Sequence, residues 1–152
     1  MNGLPVLEVK KPKMPDDPTP DPLPKHAFLM GIVAPPRSGK SNLLMTLIGA
    51  SHMYGRDYFE EIYYLSPSQN FDNTTRFVLP QLENVIQIDD PDVLENADVI
   101  IKQIMNQQAK EKPEERKRVL VILDDMAGTL ERNKILQKLS TKYRHYGVSI
   151  IV

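Results

Sequence analysis

The stretch APPRSGKSN, Ala34 to Asn42, lies between two apolar runs, FLMGIV and LLMTLI. Adjacent prolines followed by Ser-Gly-Lys-Ser interrupt any continuous helix or strand. The run before the break, HAFLMGIV from His26, reads as a buried strand. The run after it, SNLLMTLIGA, reads as a helix that is apolar on most sides and so central and covered. A strand, a tight polar loop and a covered helix commit the chain to a βα unit, and everything else has to be built around that unit.

The remaining texture continues the alternation. EEIYYLSP, Glu60 to Pro67, is rich in β-branched and aromatic residues and reads as a second strand. SQNFDNTTRF is polar and reads as a loop, and NVIQI, Asn84 to Ile88, as a short strand. In DDPDVLENADVIIKQIMNQQAK, Asp90 is placed to cap a helix with Pro91 at its first position. Val93, Ala97, Ile100 and Ile104, with Leu94, Ile101 and Met105, form one apolar stripe at helical spacing. Capping and dipole complementarity account for Asp89, Asp90 and Asp92 more economically than a metal site does. EKPEERKR is a mixed-charge loop. VLVILDD, Val119 to Asp125, is a continuous apolar run ending in two carboxylates, as in a parallel strand buried on both faces. A helix from about Leu130 to Tyr146 buries Ile135, Leu139, Tyr143 and Tyr146 and stops at Gly147, before the buried strand VSIIV. The expected fold is therefore α/β, with a mostly parallel sheet flanked by helices.

The domain is expected over residues 26–152. Residues 1–25 carry seven prolines and read as a disordered tail, either a plain linker or an arm that docks a partner. Of the 152 residues 41% are hydrophobic and 26% charged, which suits one soluble domain with a core. A net charge of −1 shows no global basic field, although a local basic lining on a neutral body stays compatible with nucleic acid. The absence of cysteine removes disulfides and thiolate metal sites and fits a reducing compartment. The N-terminus has no apolar signal region, and the apolar runs fall well short of the roughly 20 residues that span a membrane. The expectation is a protein that is not secreted and has no membrane partner.

Chemistry concentrates in three places. Ala34-Pro35-Pro36-Arg37-Ser38-Gly39-Lys40-Ser41 has the spacing GxxxxGK[ST] of a phosphate-binding loop, with alanine in place of the first glycine. Pro35 and Pro36 lack N–H donors, but the back half, Arg37 to Ser41 and on to Asn42, keeps its own. In such a loop N–H groups face the β-phosphate, Lys40 reaches the β- and γ-phosphates, and the Ser41 hydroxyl ligates magnesium. Asp124, at the end of the VLVILDD strand, is the candidate for the magnesium shell, acting through bound water. Asp125 either orients and deprotonates the attacking water or caps the next turn of chain. Arg144, just before the last strand, is either an arginine finger for a neighbouring subunit or a cation complementing a helix C-terminus. Lys40, Asp125 and Arg144 are thus the catalytic candidates, with ATP and magnesium as cofactors.

APPRSGKSN, the strand ending YYLSPS, VLVILDD and RHYGVSIIV together resemble the poxvirus-type genome-packaging ATPases of the FtsK–HerA superfamily. The resemblance runs from about His26 to Val152. It implies an additional-strand P-loop fold, with the strand from Val148 inserted between those around Leu29 and Val121. It also implies a homo-oligomeric ring that hydrolyses ATP to move double-stranded DNA into a preformed capsid, in contact with capsid or portal-vertex proteins. The setting would be the host cytoplasm, in a viral factory, or the virion. Arg144 matches the family's arginine-finger position. The family's next strand ends in a polar sensor residue, often glutamine, which this sequence does not reach; the expectation is a chain cut short, incomplete at its C-terminus. Two other readings stand beside this one: a different P-loop DNA translocase or helicase-like NTPase, and a nucleotide-binding module that does not turn over.

Overall fold

The computed structural model describes residues 17–67, 72–90, 95, 97–126 and 133–152. Five strands form one sheet: β1 (Leu29–Met30), β2 (Glu61–Leu65), β3 (Val85–Ile88), β4 (Val119–Leu123) and β5 (Val148–Ile151). Their order is β1-β5-β4-β2-β3 and every pairing is parallel. The strand from Val148 therefore lies between those of Leu29 and Val121. Pairing at β1 extends beyond its two strand residues: Phe28 O accepts from Ile150 N at 2.8 Å, and Ile32 N donates to Val152 O at 2.8 Å.

Among the described residues the main α-helices are α1 (Lys40–Gly49), α2 (Asn73–Val78), α3 (Ala97–Lys110) and α4 (Lys134–Tyr146). Alternation along the strands divides the core into two layers. Leu120 and Ile122 of β4 face α1 and the aromatic group Phe28, Tyr54, Tyr58 and Phe59. Val119, Val121 and Leu123 face the other way, toward Ile101, Ile104 and Met105 of α3 and Leu136 and Leu139 of α4. All five residues of β4 are buried, as an apolar run in a parallel sheet requires. Asn133 caps α4 by accepting from the N–H groups of Ile135 and Leu136 at 3.0 Å, and its amide reaches Asp98 of α3 at 2.7 Å. Gly147 ends α4 at φ 63°, a left-handed stop. Pro91, Val93, Leu94 and Leu130, named in the expected helices, lie outside the described residues.

Two expectations change. The polar segment read as a loop contains α2, because Asp72 accepts from Thr75 N at 2.9 Å and so caps a helical turn. The packed region also starts before His26. Tyr54 and Tyr58 sit in the core with hydroxyls that need partners, and the proline-rich stretch supplies them. Tyr54 OH donates to Pro24 O at 2.6 Å, Thr19 Oγ1 lies 2.5 Å from Tyr58 OH, and Leu23 packs against the aromatic group.

His26 ties this stretch to the sheet. Its ring bridges Ser149 Oγ at 2.7 Å and the Gly147 carbonyl at 2.9 Å, which explains a buried serine in the middle of β5. With the carbonyl as acceptor, Nε2 carries the proton and Nδ1 accepts from Ser149. Burial is the main cause that holds the imidazole below its ordinary value; nearby Arg118 acts in the same direction, while the Gly147 carbonyl opposes. The neutral ring thus belongs to the folded state. As pH falls through the ordinary histidine value, about 6.5, the unfolded chain takes up a proton that the folded chain refuses, so stability drops. We expect folding stability, read as melting temperature, to fall between pH 7 and 5.5, with a free-energy slope of at most about 1.4 kcal/mol per pH unit for one proton. His26→Gln should flatten that slope in thermal melts across the range. An equal slope in both proteins would assign the effect to other groups.

Candidate active site

A parallel sheet places every loop that follows a strand at one edge. The loop after β1 and the end of β4 meet there, around a cleft of about 570 Å³ lined by Ala34, Pro35, Pro36, Arg37, Gly39, Lys40, Ser41, Asn42, Asp72, Thr74, Thr75, Asp124 and Asp125. The loop and the two carboxylates come from residues far apart in sequence. The fold alone brings them together.

Gly39 precedes α1 with φ 92° and ψ 15°, the left-handed region. A Cβ at Gly39 would meet nothing within 4 Å, so the backbone angle and not crowding calls for glycine here. Arg37 also has a positive φ, 62°. Ser38 does not line the cleft; its N–H turns back onto the Pro35 carbonyl at 3.3 Å. The first turn of α1 begins at Lys40, and no side chain caps it. Its leading N–H groups have no carbonyl one turn behind them, so they are the donors a phosphate would take.

Lys40 Nζ is 2.9 Å from Asp124 Oδ1. Tyr64 OH, from β2, donates to Asp124 Oδ2 at 2.6 Å. Each oxygen of this carboxylate is therefore engaged, one by an ammonium and one by a fully buried phenol. Burial chiefly, with Asp124 adding to it, pushes the Tyr64 hydroxyl far above its usual value, so it remains a donor. Asp125 comes next in the left-handed region at φ 59°, exposed on the cleft wall. Aspartate is one of the few side chains that adopt this backbone conformation readily.

The far wall belongs to α2, which sequence reasoning did not find. Asp72, its cap, lines the cleft opposite Ser41. Partial burial works to raise the Asp72 carboxyl, but the nearby donors of Ser41, Thr75 and Thr74 outweigh it and hold the group below the ordinary carboxylate value. Thr74 Oγ1 donates to Asn42 Oδ1 at 2.9 Å, a tie between α2 and the first turn of α1. The one available signal was Asp72 placed three residues before Thr75, whose N–H it caps.

Arg144 is not brought to this cleft. It precedes β5, and Val148 is level with Val119 at the start of β4. Asp124 stands at the other end of β4, roughly 16 Å away along the strand at 3.3 Å per residue. Arg144 is exposed beside Thr141, Lys142 and His145, with its guanidinium 5.6 Å from the Tyr143 ring centre.

The oxygen donors present, a serine hydroxyl and carboxylates, suit a hard cation. Among the described residues no group of three or more His, Asp or Glu side chains could hold a metal alone.

A family model described as Poxvirus A32 protein matches residues 19–152. The chain belongs to the poxvirus A32 protein family. This is a family of packaging ATPases, which supports ATPase chemistry in general. The match begins within the proline-rich stretch, at the part that packs against Tyr58 and Tyr54. No curated protein and no solved structure matched the chain. Among the described residues no helix is long and apolar enough to cross a membrane.

Proposed function

We propose that this chain is a magnesium-dependent ATPase subunit of a motor that moves double-stranded DNA into a preformed capsid. The observation that carries the reading is the pairing of Lys40 with Asp124 at 2.9 Å inside one cleft, in a chain of the packaging ATPase family. Lys40 and the leading N–H groups of α1 bind the phosphates. When nucleotide enters, its charge competes for Lys40, and Asp124 is released from the ammonium. Ser41 and Asp124 are the residues that would hold magnesium, which when bound neutralises charge building on the phosphate oxygens. Asp125, exposed at the cleft wall, orients and deprotonates the attacking water.

Arg144 belongs to a different subunit's reaction in this reading. Its place at the opposite edge of the sheet supports action in trans, and a guanidinium suits the developing charge on a transferring phosphoryl group. A ring of identical subunits is the arrangement that uses such an arginine repeatedly.

The test is ATP hydrolysis with magnesium, with and without double-stranded DNA. Hydrolysis stimulated by DNA is expected. Nucleotide binding with no turnover under either condition would overturn the motor reading for this chain. Mixing Arg144→Ala protein into the parent at fixed total concentration should reduce activity out of proportion to the mutant fraction. Simple linear dilution would return Arg144 to a role within its own subunit.

A further inference from the structure

The last turn of α4 is set apart from the rest of the helix. Lys142, at φ −121° and ψ 17°, leaves helical geometry. The Thr141 hydroxyl shares its proton between the carbonyls of Gln137 and Lys138 at 3.1 and 3.0 Å, and the Ser140 hydroxyl donates to Gln137 O at 2.9 Å. Hydroxyls that bond back onto the preceding turn bend helices. Arg144 stands just beyond the bend, so the body of α4 does not by itself set its direction.

Most of what holds this turn comes from outside α4. A helix C-terminus leaves its last carbonyls without donors. Arg144 O takes the Gly147 N–H at 3.2 Å, as part of the left-handed stop. His145 O takes Arg116 Nη1 at 2.6 Å, and Arg116 Nε is itself fixed on Glu111 O at 3.2 Å. Gly147 O takes Gln108 Nε2 at 3.0 Å and His26 Nε2 at 2.9 Å, which uses both of its lone pairs. The same Gln108 nitrogen donates to Lys117 O at 3.0 Å. Gln108 is 4% exposed, on the buried face of α3 with Ile101, Ile104 and Met105, where an amide is costly unless bonded. Its two hydrogens pin the segment before β4 to the segment before β5. The Arg144 side chain then lies with its guanidinium 5.6 Å from the centre of the Tyr143 ring, which packs against the second core layer.

We propose that Arg116 and Gln108 are positioning residues that fix the turn bearing Arg144, so that its guanidinium is presented in a set place to a neighbouring subunit. The inference rests on the reading of Arg144 as acting in trans and adds to it the residues that aim it. An arginine on a long side chain meets a phosphoryl group productively only if its base is held still. Here the helix ladder is broken just before it, and donors from α3 and from the loop before β4 take over that task.

The test compares Arg116→Met and Gln108→Met with the parent by single-turnover hydrolysis, calorimetric ADP binding and thermal melting. Both changes keep an unbranched stem and remove the donors. An arginine acting on a neighbour's phosphate is worth about 10³–10⁵ in rate, and a misplacement of about 1 Å can cost about 10²-fold. The rate should therefore fall by about tenfold or more, with ADP affinity within about twofold of the parent, because neither residue lines the cleft. Arg116→Lys keeps one cationic donor for His145 O and should recover most of the rate. On an Arg144→Ala background Arg116→Met should cost less than about twofold more, since the residue it positions is already gone. Arg116 is only half-buried, so its variants stay informative if Gln108→Met folds poorly. Equal losses in the two backgrounds would make Arg116 a merely structural residue and overturn the inference. If Arg144→Ala is impaired and folded Arg116→Met keeps the parent rate, the inference also fails, while the reading of Arg144 stands. A parent rate in Arg144→Ala, or no hydrolysis by the parent itself, overturns the underlying reading and the positioning role with it.

Discussion

Lys40→Ala is expected to abolish magnesium-ATP turnover and to leave the fold standing. Lys40 is seated between the phosphate loop and Asp124, 2.9 Å from that carboxylate. Removing a single preorganised donor that meets developing charge costs about 10²–10³ in rate, and here the lost group is a full charge, so a loss of at least about 100-fold is expected. Nucleotide affinity should fall with it, because Lys40 meets phosphates before and during reaction. The fold has little at stake. The Lys40 side chain is 35% exposed, alanine is the best helix former, and Asp124 retains its bond from Tyr64. Turnover assays, calorimetric ADP binding and a thermal melt on the same preparation check all three statements. Turnover within a few-fold of the parent, in protein that melts normally, would remove the phosphate-binding assignment.

The alternation of strands and helices along the chain and the loop after β1 were readable because they rest on patterns longer than one turn or one strand, whereas the place of β5 between β1 and β4 came from the family resemblance. VLVIL is apolar at every position, and only a strand covered on both faces can use that; β4 is such a strand. Gly39-Lys40-Ser41 is fixed at the seam between an apolar run and a helix. The part that escaped is short or depends on sheet order. Six residues of α2 make fewer than two turns, too few for a 3.6-residue period to register, and NTTR carries no apolar stripe. Asp72, Thr74 and Thr75 were therefore invisible as cleft residues. Tyr64 looked like any apolar-face aromatic of a strand; its bond to Asp124 arises from β2 lying beside β4, which resides in the pairing and not in either segment. Arg144 was singled out for its chemistry. That it stands away from its own subunit's cleft is a consequence of parallel topology, since a residue before a strand and a residue after one occupy opposite edges.

Asp125→Asn separates catalysis from binding, and it does so cleanly because of the backbone. At φ 59° most substitutions would strain the chain, but asparagine tolerates the left-handed region at least as well as aspartate and has the same shape. The change removes a base and one negative charge while leaving Lys40, Ser41 and Asp124 where they are. A positioned general base is worth about 10²–10⁴ in rate, so hydrolysis should fall by that much. Affinity for magnesium nucleotide should hold or rise slightly, since an anion leaves a cleft that receives polyphosphate. The protein would then retain ATP unhydrolysed through gel filtration. Two other results carry opposite meanings. Loss of affinity together with loss of magnesium dependence would make Asp125 the metal ligand and exchange its role with that of Asp124, although Asp124 is the carboxylate that bonds Lys40 and Tyr64. Unchanged hydrolysis would reduce Asp125 to a turn residue chosen for its φ, and the attacking water would have to be activated from elsewhere in the cleft.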